Sequence, residues 1–523
     1  MDCFKSFMIA ISWIGLLHGP IQTQLARAAM NEVFEIGVKE CAACHSNPSP
    51  IYEQLGVTKF VRLVEAKEWL QQDKHAYAYE LVKHDLSENE LTLPQKRSNQ
   101  LSIEICRKLG WGKNDSQFQK QCLTCHAGVD ATNSTQTLDF LTQNLPFGVQ
   151  CEACHGPGSQ YTQVDQHQQI SWRQKTGEQK SALGMFDLAS PSACAEVCMS
   201  CHVGDKSQNR FVSHDMYVAG HPPLPPFDLQ IFLDAMPPHW KSVSEKSSFA
   251  LQTEYYAAHY DVDPSVQFDE MERDVKSSFS RTQRSMIGGL VANDLGIQMI
   301  HASANQSQSD PEKWGDFSMY NCMGCHQELK RDKITSNLQD RVPGRPFPAD
   351  WLTLEHSSVH KSNPEKHSRL TKELFASFNK VPFGDSQKIS QLSESHRESL
   401  ADRLHDRRAL ERRIMRRSDV QQWLEVLLAS RYDKLNDYWV AKQTSWMVSI
   451  AVIELVEHGV LKEEQVATRI KELSDLLQLE LSIPQKTSVL LSQEKTLKLA
   501  NQFDVKRCQI LIRELVEIAL AAQ

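Results

Sequence analysis

Five copies of one spacing, C-x-x-C-H, run through the chain: Cys41-Ala-Ala-Cys44-His45, Cys122-Leu-Thr-Cys125-His126, Cys151-Glu-Ala-Cys154-His155, Cys198-Met-Ser-Cys201-His202 and Cys322-Met-Gly-Cys325-His326. With 14 Cys and 20 His in 523 residues, chance supplies about 0.01 such matches. Two thiols at this spacing suit thioether attachment of a porphyrin, and the histidine directly after them gives its iron one axial nitrogen. Zinc is the competing use of paired cysteines, but it leaves the histidine after every second cysteine unexplained. The ten cysteines and His45, His126, His155, His202 and His326 therefore read as the attachment and proximal-ligand residues of five haems c.

The sixth iron position decides between electron transfer and ligand chemistry. Five histidines stand in motifs and His18 lies in the leader, so 14 of the 20 remain as distal candidates. His75 sits between Lys74 and Ala76, and Ala76 and Ala78 would let a helix come close to a porphyrin face. His167 follows Gly156-Pro157-Gly158, where glycine frees the backbone. His221 is pinned in Gly220-His221-Pro222-Pro223 and is assigned to the third haem. His214, His239 and His301 compete for the fifth, and for the second if it takes a ligand. His356 and His360 are weaker candidates. No Met has a motif to support it as a ligand.

The segment from residue 36 to 205 resembles the cytochrome c-554 family, tetrahaem proteins that accept electrons from hydroxylamine oxidoreductase. The resemblance is carried by the first motif, His75-Ala76-Tyr77-Ala78, the second motif, and Gly148-Val149-Gln150 leading into Cys151-Glu152-Ala153-Cys154-His155-Gly156-Pro157-Gly158. It implies crossed ligation, with His75 on the fourth haem and His167 on the first. It also implies a second haem, on His126, without a protein distal ligand. After residue 205 the chain departs from the tetrahaem pattern. His214, Ala219-Gly220-His221-Pro222-Pro223, Pro238-His239-Trp240 and the residues around Cys322 look like segments of larger multihaem relatives.

These residues need elements to position them. Four motifs fall within 162 residues, Cys41 to His202, too dense for a conventional side-chain core. The expected fold is mainly α: short helices and loops wrapped around stacked haems, followed by an all-α helical bundle. Lys5 and the apolar run Phe7 to Leu17, with Ala26-Arg27-Ala28 behind it, read as a signal peptide over residues 1–28. A tetrahaem domain is expected over 29–230, and a helical region with the fifth haem over 231–345. Within that region helices are predicted over Ser247–His259 and from Asp269 to about Ala304. Pro343, Pro346, Pro348 and Pro364 mark a linker over 346–386, and a haem-free helical domain over 387–523 is expected to fold on its own. Its helices are predicted over Gln421–Trp439, Ser445–Leu461, Glu463–Leu479 and Thr487–Ala522. Eight arginines between Arg397 and Arg417, interleaved with acids, read as a solvated helix face, with docking of an acidic partner as the alternative. A Cys106–Cys194 disulfide is chemically allowed.

Net charge of −8 argues against nucleic acid as the main partner. Ordinary Gly (22), Pro (21) and charged (23%) content excludes disorder as the dominant state. No transmembrane span is expected in the mature chain, and the signal peptide places it in the periplasm or otherwise outside the cytoplasm. The reading is an electron conduit through mostly bis-histidine haems, with other cytochromes or quinol-linked membrane complexes as redox partners. The alternative is an oxidoreductase acting on a small inorganic nitrogen or sulfur compound at a five-coordinate haem.

Overall fold

The computed structural model describes residues 35–319 and 364–522, apart from 84–92, 130–142, 246–272, 310–315, 480–492 and some shorter stretches. The leader, the fifth motif, His356, His360 and the helix expected at 247–259 lie outside the described residues. The protein is mainly α, as expected. Among the described residues the strand-like pairing is one isolated bridge, Asp205 to Arg210.

The motif-bearing part uses short helices. The ones that matter are α1 (Val38–His45), α2 (Glu65–Gln72), α3 (Leu93–Leu109), α4 (Cys151–His155), α5 (Pro191–Met199), α6 (His214–Ala219) and α7 (Leu229–Ala235). Their side-chain clusters are small. One gathers Val82, Cys106, Phe118, Cys122, Leu123, Ala127 and Val129, and another only Val38, Trp69 and Ala76.

Next comes α8 (Ser280–Ser309), 30 residues long, which begins later than the sequence suggested. It is the spine of the molecule. Ile287, Val291 and Leu295 pack on Met199, Phe227 and Leu229 of the fourth-motif region. Farther along, Ile300 and Ala304 pack on Leu374 and Phe378 of α9 (Pro364–Ser377) and on Ile389 of α10 (Ser386–Glu398). The expected linker thus contains a helix. Pro364 opens it rather than breaking chain order, because the first helical turn needs no backbone donor there.

The tail continues with α11 (Leu400–Arg412), α12 (Arg417–Arg431), α13 (Tyr438–Glu457), α14 (Glu463–Leu477), α15 (Gln493–Gln502) and α16 (Val505–Ala521). The predicted helix over Thr487–Ala522 is two helices, because Asp504 accepts from Arg507 N–H and starts a new one. The centre is α13, with 16 of its 20 residues buried, which is why its apolar residues show no single stripe. The core around it is large, and it does not stop at residue 387. Ile231, Phe279 and Met286 belong to it. Buried Glu454 of α13 accepts from Arg281 N–H (2.9 Å), Thr282 N–H (2.8 Å) and Thr282 Oγ1 (2.7 Å), capping the start of α8. The tail is built onto the spine.

The arginine segment is likewise put to internal use. Arg407 is 4% exposed and pairs with Glu196 (2.5 Å) on α5 and Asp294 (3.3 Å) on α8. Glu411 accepts from Ser190 Oγ (2.8 Å) and Ser192 N–H (2.5 Å), at the N-terminus of α5. Helix α11 is thus a clamp on the helix that leads into the fourth motif, not a uniformly solvated face. Charge count alone could not distinguish these roles.

Candidate haem-binding site

Each described motif ends a helical element on its histidine or places it in a tight turn. α1 starts after Gly37, whose φ of 91° and closeness to Asn144 leave no room for a side chain. Wide helical turns, Gln119–Leu123 and Ser200–Gly204, hold Cys122 of the second motif and Cys201 and His202 of the fourth, and such turns recur at functional positions. The third occupies α4, and Glu152 inside it is 2% exposed. Its carboxylate accepts from Ile36 N–H (2.9 Å), Gly37 N–H (2.7 Å) and Gly158 N–H (2.7 Å), tying the entry to the first motif onto the third. Desolvation pushes its pKa up against the pull of those three amides.

The motifs are arranged in a row. Cys41 lies against Cys151, and Cys125 against Cys201. Cys154 lies within electrostatic reach of Cys201. The spatial order is first, third, fourth, second. Cys106 sits by Cys122 and Cys194 by Cys198, so the Cys106–Cys194 disulfide is not formed.

The histidines come in facing pairs. Ring centroids are 5.9 Å apart for His45 and His167, 6.1 Å for His75 and His202, and 6.2 Å for His155 and His239. Two imidazoles on opposite sides of one metal, each bonded at about 2 Å, have centroids about 6 Å apart. His221 lies within electrostatic reach of His126. The outer ring nitrogens are tied as well. Nδ1 of His45 is 2.9 Å from Glu65 Oε2, and that of His75 is 2.9 Å from Asp73 Oδ1. For His126, His221 and His239 the acceptors are the carbonyls of Ala78 (3.2 Å), Pro222 (2.7 Å) and Pro237 (3.3 Å). A ring held through Nδ1 presents Nε2, which is how metal-bound histidines are oriented.

Local sequence explains several of these placements. Asp73 caps the 3-10 helix Lys74–Leu81 by accepting His75 N–H, and the same oxygen receives the ring. Gly148, with φ of 63°, lets Val149 N–H reach the His75 carbonyl (2.9 Å), since a Cβ would lie 2.4 Å from that oxygen. Tyr161 and Trp172 flank His167, and Phe227 and Phe232 each stand 5.2 Å from His202. Desolvation pushes His202 down to about 3 with His75 beside it, His155 to about 4 with His239 beside it, and His221 to about 4 with His126 beside it. They are therefore held in the neutral form that binds metal.

Set against the sequence expectations, His75 and His167 face the motif histidines they were assigned to. His221 does not reach the third motif. The histidine beside His155 of the third motif is His239, and His221 stands by His126 of the second, the one expected to lack a partner. The Gly/Pro turn that marked His221 fixes its ring but could not say against which motif. His301 is not at any described motif. Its Nδ1 faces Ser393 Oγ (3.2 Å), and its Nε2 is taken by Asn305 (2.7 Å) and Arg397 (2.9 Å) between α8, α10 and their neighbours. His214 packs on Phe317 at 5.4 Å, with its N–H donating to Asp316 (3.0 Å). The carboxylates Glu65, Asp73 and Glu152 were not singled out from sequence. Asp73, two residues before His75, carried a readable capping signal, whereas Glu65 acts across 20 residues.

Residues 40–156, which hold the first three motifs and His75, match the family described as cytochrome c554 and c-prime. That segment is similar to the cytochrome c554 family. The chain is a c-type cytochrome with covalently attached haem and iron, and it passes electrons to redox partners. Comparison with curated proteins returns no match, and neither does comparison with solved structures. Among the described residues no helix is long and apolar enough to cross a membrane.

Proposed function

We propose that this cytochrome is an exported pentahaem conduit in which the haems on the four described motifs are each held between two histidines. The pairs are His45 with His167, His126 with His221, His155 with His239, and His202 with His75. The fifth haem is carried by Cys322, Cys325 and His326, with His214 among the candidates for its distal side. Haem bound in these positions supplies one-electron iron chemistry. The protein's part is to hold each iron closed, in contact with the next, in the order first, third, fourth, second. The observation that carries this reading is the three imidazole pairs 5.9–6.2 Å apart, His45 with His167, His75 with His202 and His155 with His239, and the proximity of His221 to His126 adds the fourth. The apolar run Phe7 to Leu17 behind Lys5 supports export, and other cytochromes or quinol-linked membrane complexes are the partner class.

Catalysis on a small nitrogen or sulfur compound requires an open iron. His221 lies within electrostatic reach of His126, which supports a closed second haem and favours conduction over catalysis. Two measurements test the reading. Five occupied motifs add roughly 3 kDa to the polypeptide, about 0.6 kDa per haem, and give an iron-to-protein ratio of five. His75→Ala should convert one haem to high spin and leave the others unchanged. A ratio of four, with Cys322 and Cys325 open to alkylation, would remove the fifth haem. An unaltered low-spin spectrum in His75→Ala would remove the crossed pairing.

A further inference from the structure

The axial histidines differ in what holds their outer nitrogen. His45 and His75 are tied to carboxylates, Glu65 and Asp73, each at 2.9 Å. His126, His221 and His239 are tied to backbone carbonyls of Ala78, Pro222 and Pro237. We infer that Glu65 and Asp73 hold the haems on His45 and His202 at lower reduction potential than the haem on His126, whereas the haem on His155 lies within reach of both carboxylates. This rests on the axial pairing proposed above.

The physical argument is one of charge. A carboxylate bonded to the ring N–H makes an axial imidazole a stronger donor and places a full negative charge near the iron. Both effects favour the ferric state, which carries one more positive charge than the ferrous. A carbonyl contributes only a dipole. Asp73 is well set for this role: it is 3% exposed, so solvent screens it little. Its Oδ1 accepts both the backbone N–H and the ring N–H of His75, which fixes ring and charge together. Glu65 divides the task, Oε2 facing His45 and Oε1 accepting Arg62 N–H at 2.7 Å.

Along the row the carboxylate-tied and carbonyl-tied haems alternate, and the two ends differ. The first haem, at one end, is the better donor; the second, at the other, is the better resting place for an electron. Net flow therefore runs toward the second haem. Glu65 and Asp73 are positioning residues that give the conduit a direction.

Asp73→Asn is the clean test, because one oxygen takes both bonds from His75 and the amide oxygen can replace it, removing only charge. The full-length holoprotein is titrated through a range of potentials, with magnetic resonance identifying each haem as it is reduced. The expected result is a rise of about tenfold in the reduction equilibrium of the haem on His202, about 59 mV for one electron. That haem should stay low-spin, the others should move less, and Asp73→Glu should return it toward the original value. Glu65→Gln should do the same for the haem on His45. A low-spin Asp73→Asn protein with unmoved or lowered potential overturns the inference. If His75→Ala leaves every haem low-spin, it is the pairing that has failed, and the potential of Asp73→Asn no longer bears on it.

Discussion

The haem-bearing region and the tail are both helical, yet they are organised by different physics. Residues 36–239 have only small apolar clusters among their motifs, and their order comes from paired histidines, thiols and buried hydrogen bonds. Residues 400–521 are organised by a continuous side-chain core around α13. The comparison teaches that a cofactor can replace leucine and phenylalanine as the thing a chain folds around. It also shows that the seam between such regions need not be a linker. Here the seam is α8, with Glu454 at one end and Arg407 beside it.

The strongest way to break this contrast is to withhold haem. In a host without cytochrome c maturation, amides of residues 36–239 should lose protection in hydrogen exchange, while α13, α14 and α16 keep theirs. Equal loss in both regions would show that the tail has no core of its own.

The seam can be probed next. Removing one partner of a buried ion pair costs about 3–5 kcal/mol, so Arg407→Ala should lower stability by that order. Arg407→Met should recover a good part of it, because no unpaired cation or large cavity remains. Thermal unfolding followed at the haem absorption and by far-ultraviolet circular dichroism reads both regions. A shift confined to the second signal would show that α11 does not brace the fourth motif.

A smaller effect sharpens the same seam. Asp228 is buried beside Phe227, accepts from Ser285 Oγ (2.5 Å) and from Gln230 and Ile231 N–H, and is pushed by desolvation up to about 6. An unfolded aspartate titrates near 4. The folded form binds this proton more tightly, so the group's contribution is fully present below pH about 4 and is lost as pH rises through about 6. Asp228→Asn should flatten stability over that window. An unchanged pH profile would mean that the charge is already compensated.

Much of the site was legible in the chain, for chemical reasons. C-x-x-C-H is local, so every described motif could be read without a fold. His75 and His167 were assigned through the family resemblance, and their rings lie 6.1 Å from His202 and 5.9 Å from His45. His221 and His239 could not be told apart, since their partners lie 95 and 84 residues away in sequence, at His126 and His155. The tail's helices were visible in their periodicity, but the burial of Arg407 was not, because its partners Glu196 and Asp294 lie on α5 and α8. Pro364 was legible as a boundary and was taken for the wrong side of one.

The irons on the four described motifs are proposed to be closed by two histidines each. Electron paramagnetic resonance of the oxidised full-length protein, with spins integrated against total iron, tests this closure most directly. The account requires low-spin signals from at least four of the five haems, and His221→Ala should add one high-spin iron. Two or more high-spin irons in the unaltered protein, or a high-spin signal that His221→Ala does not increase, would contradict it.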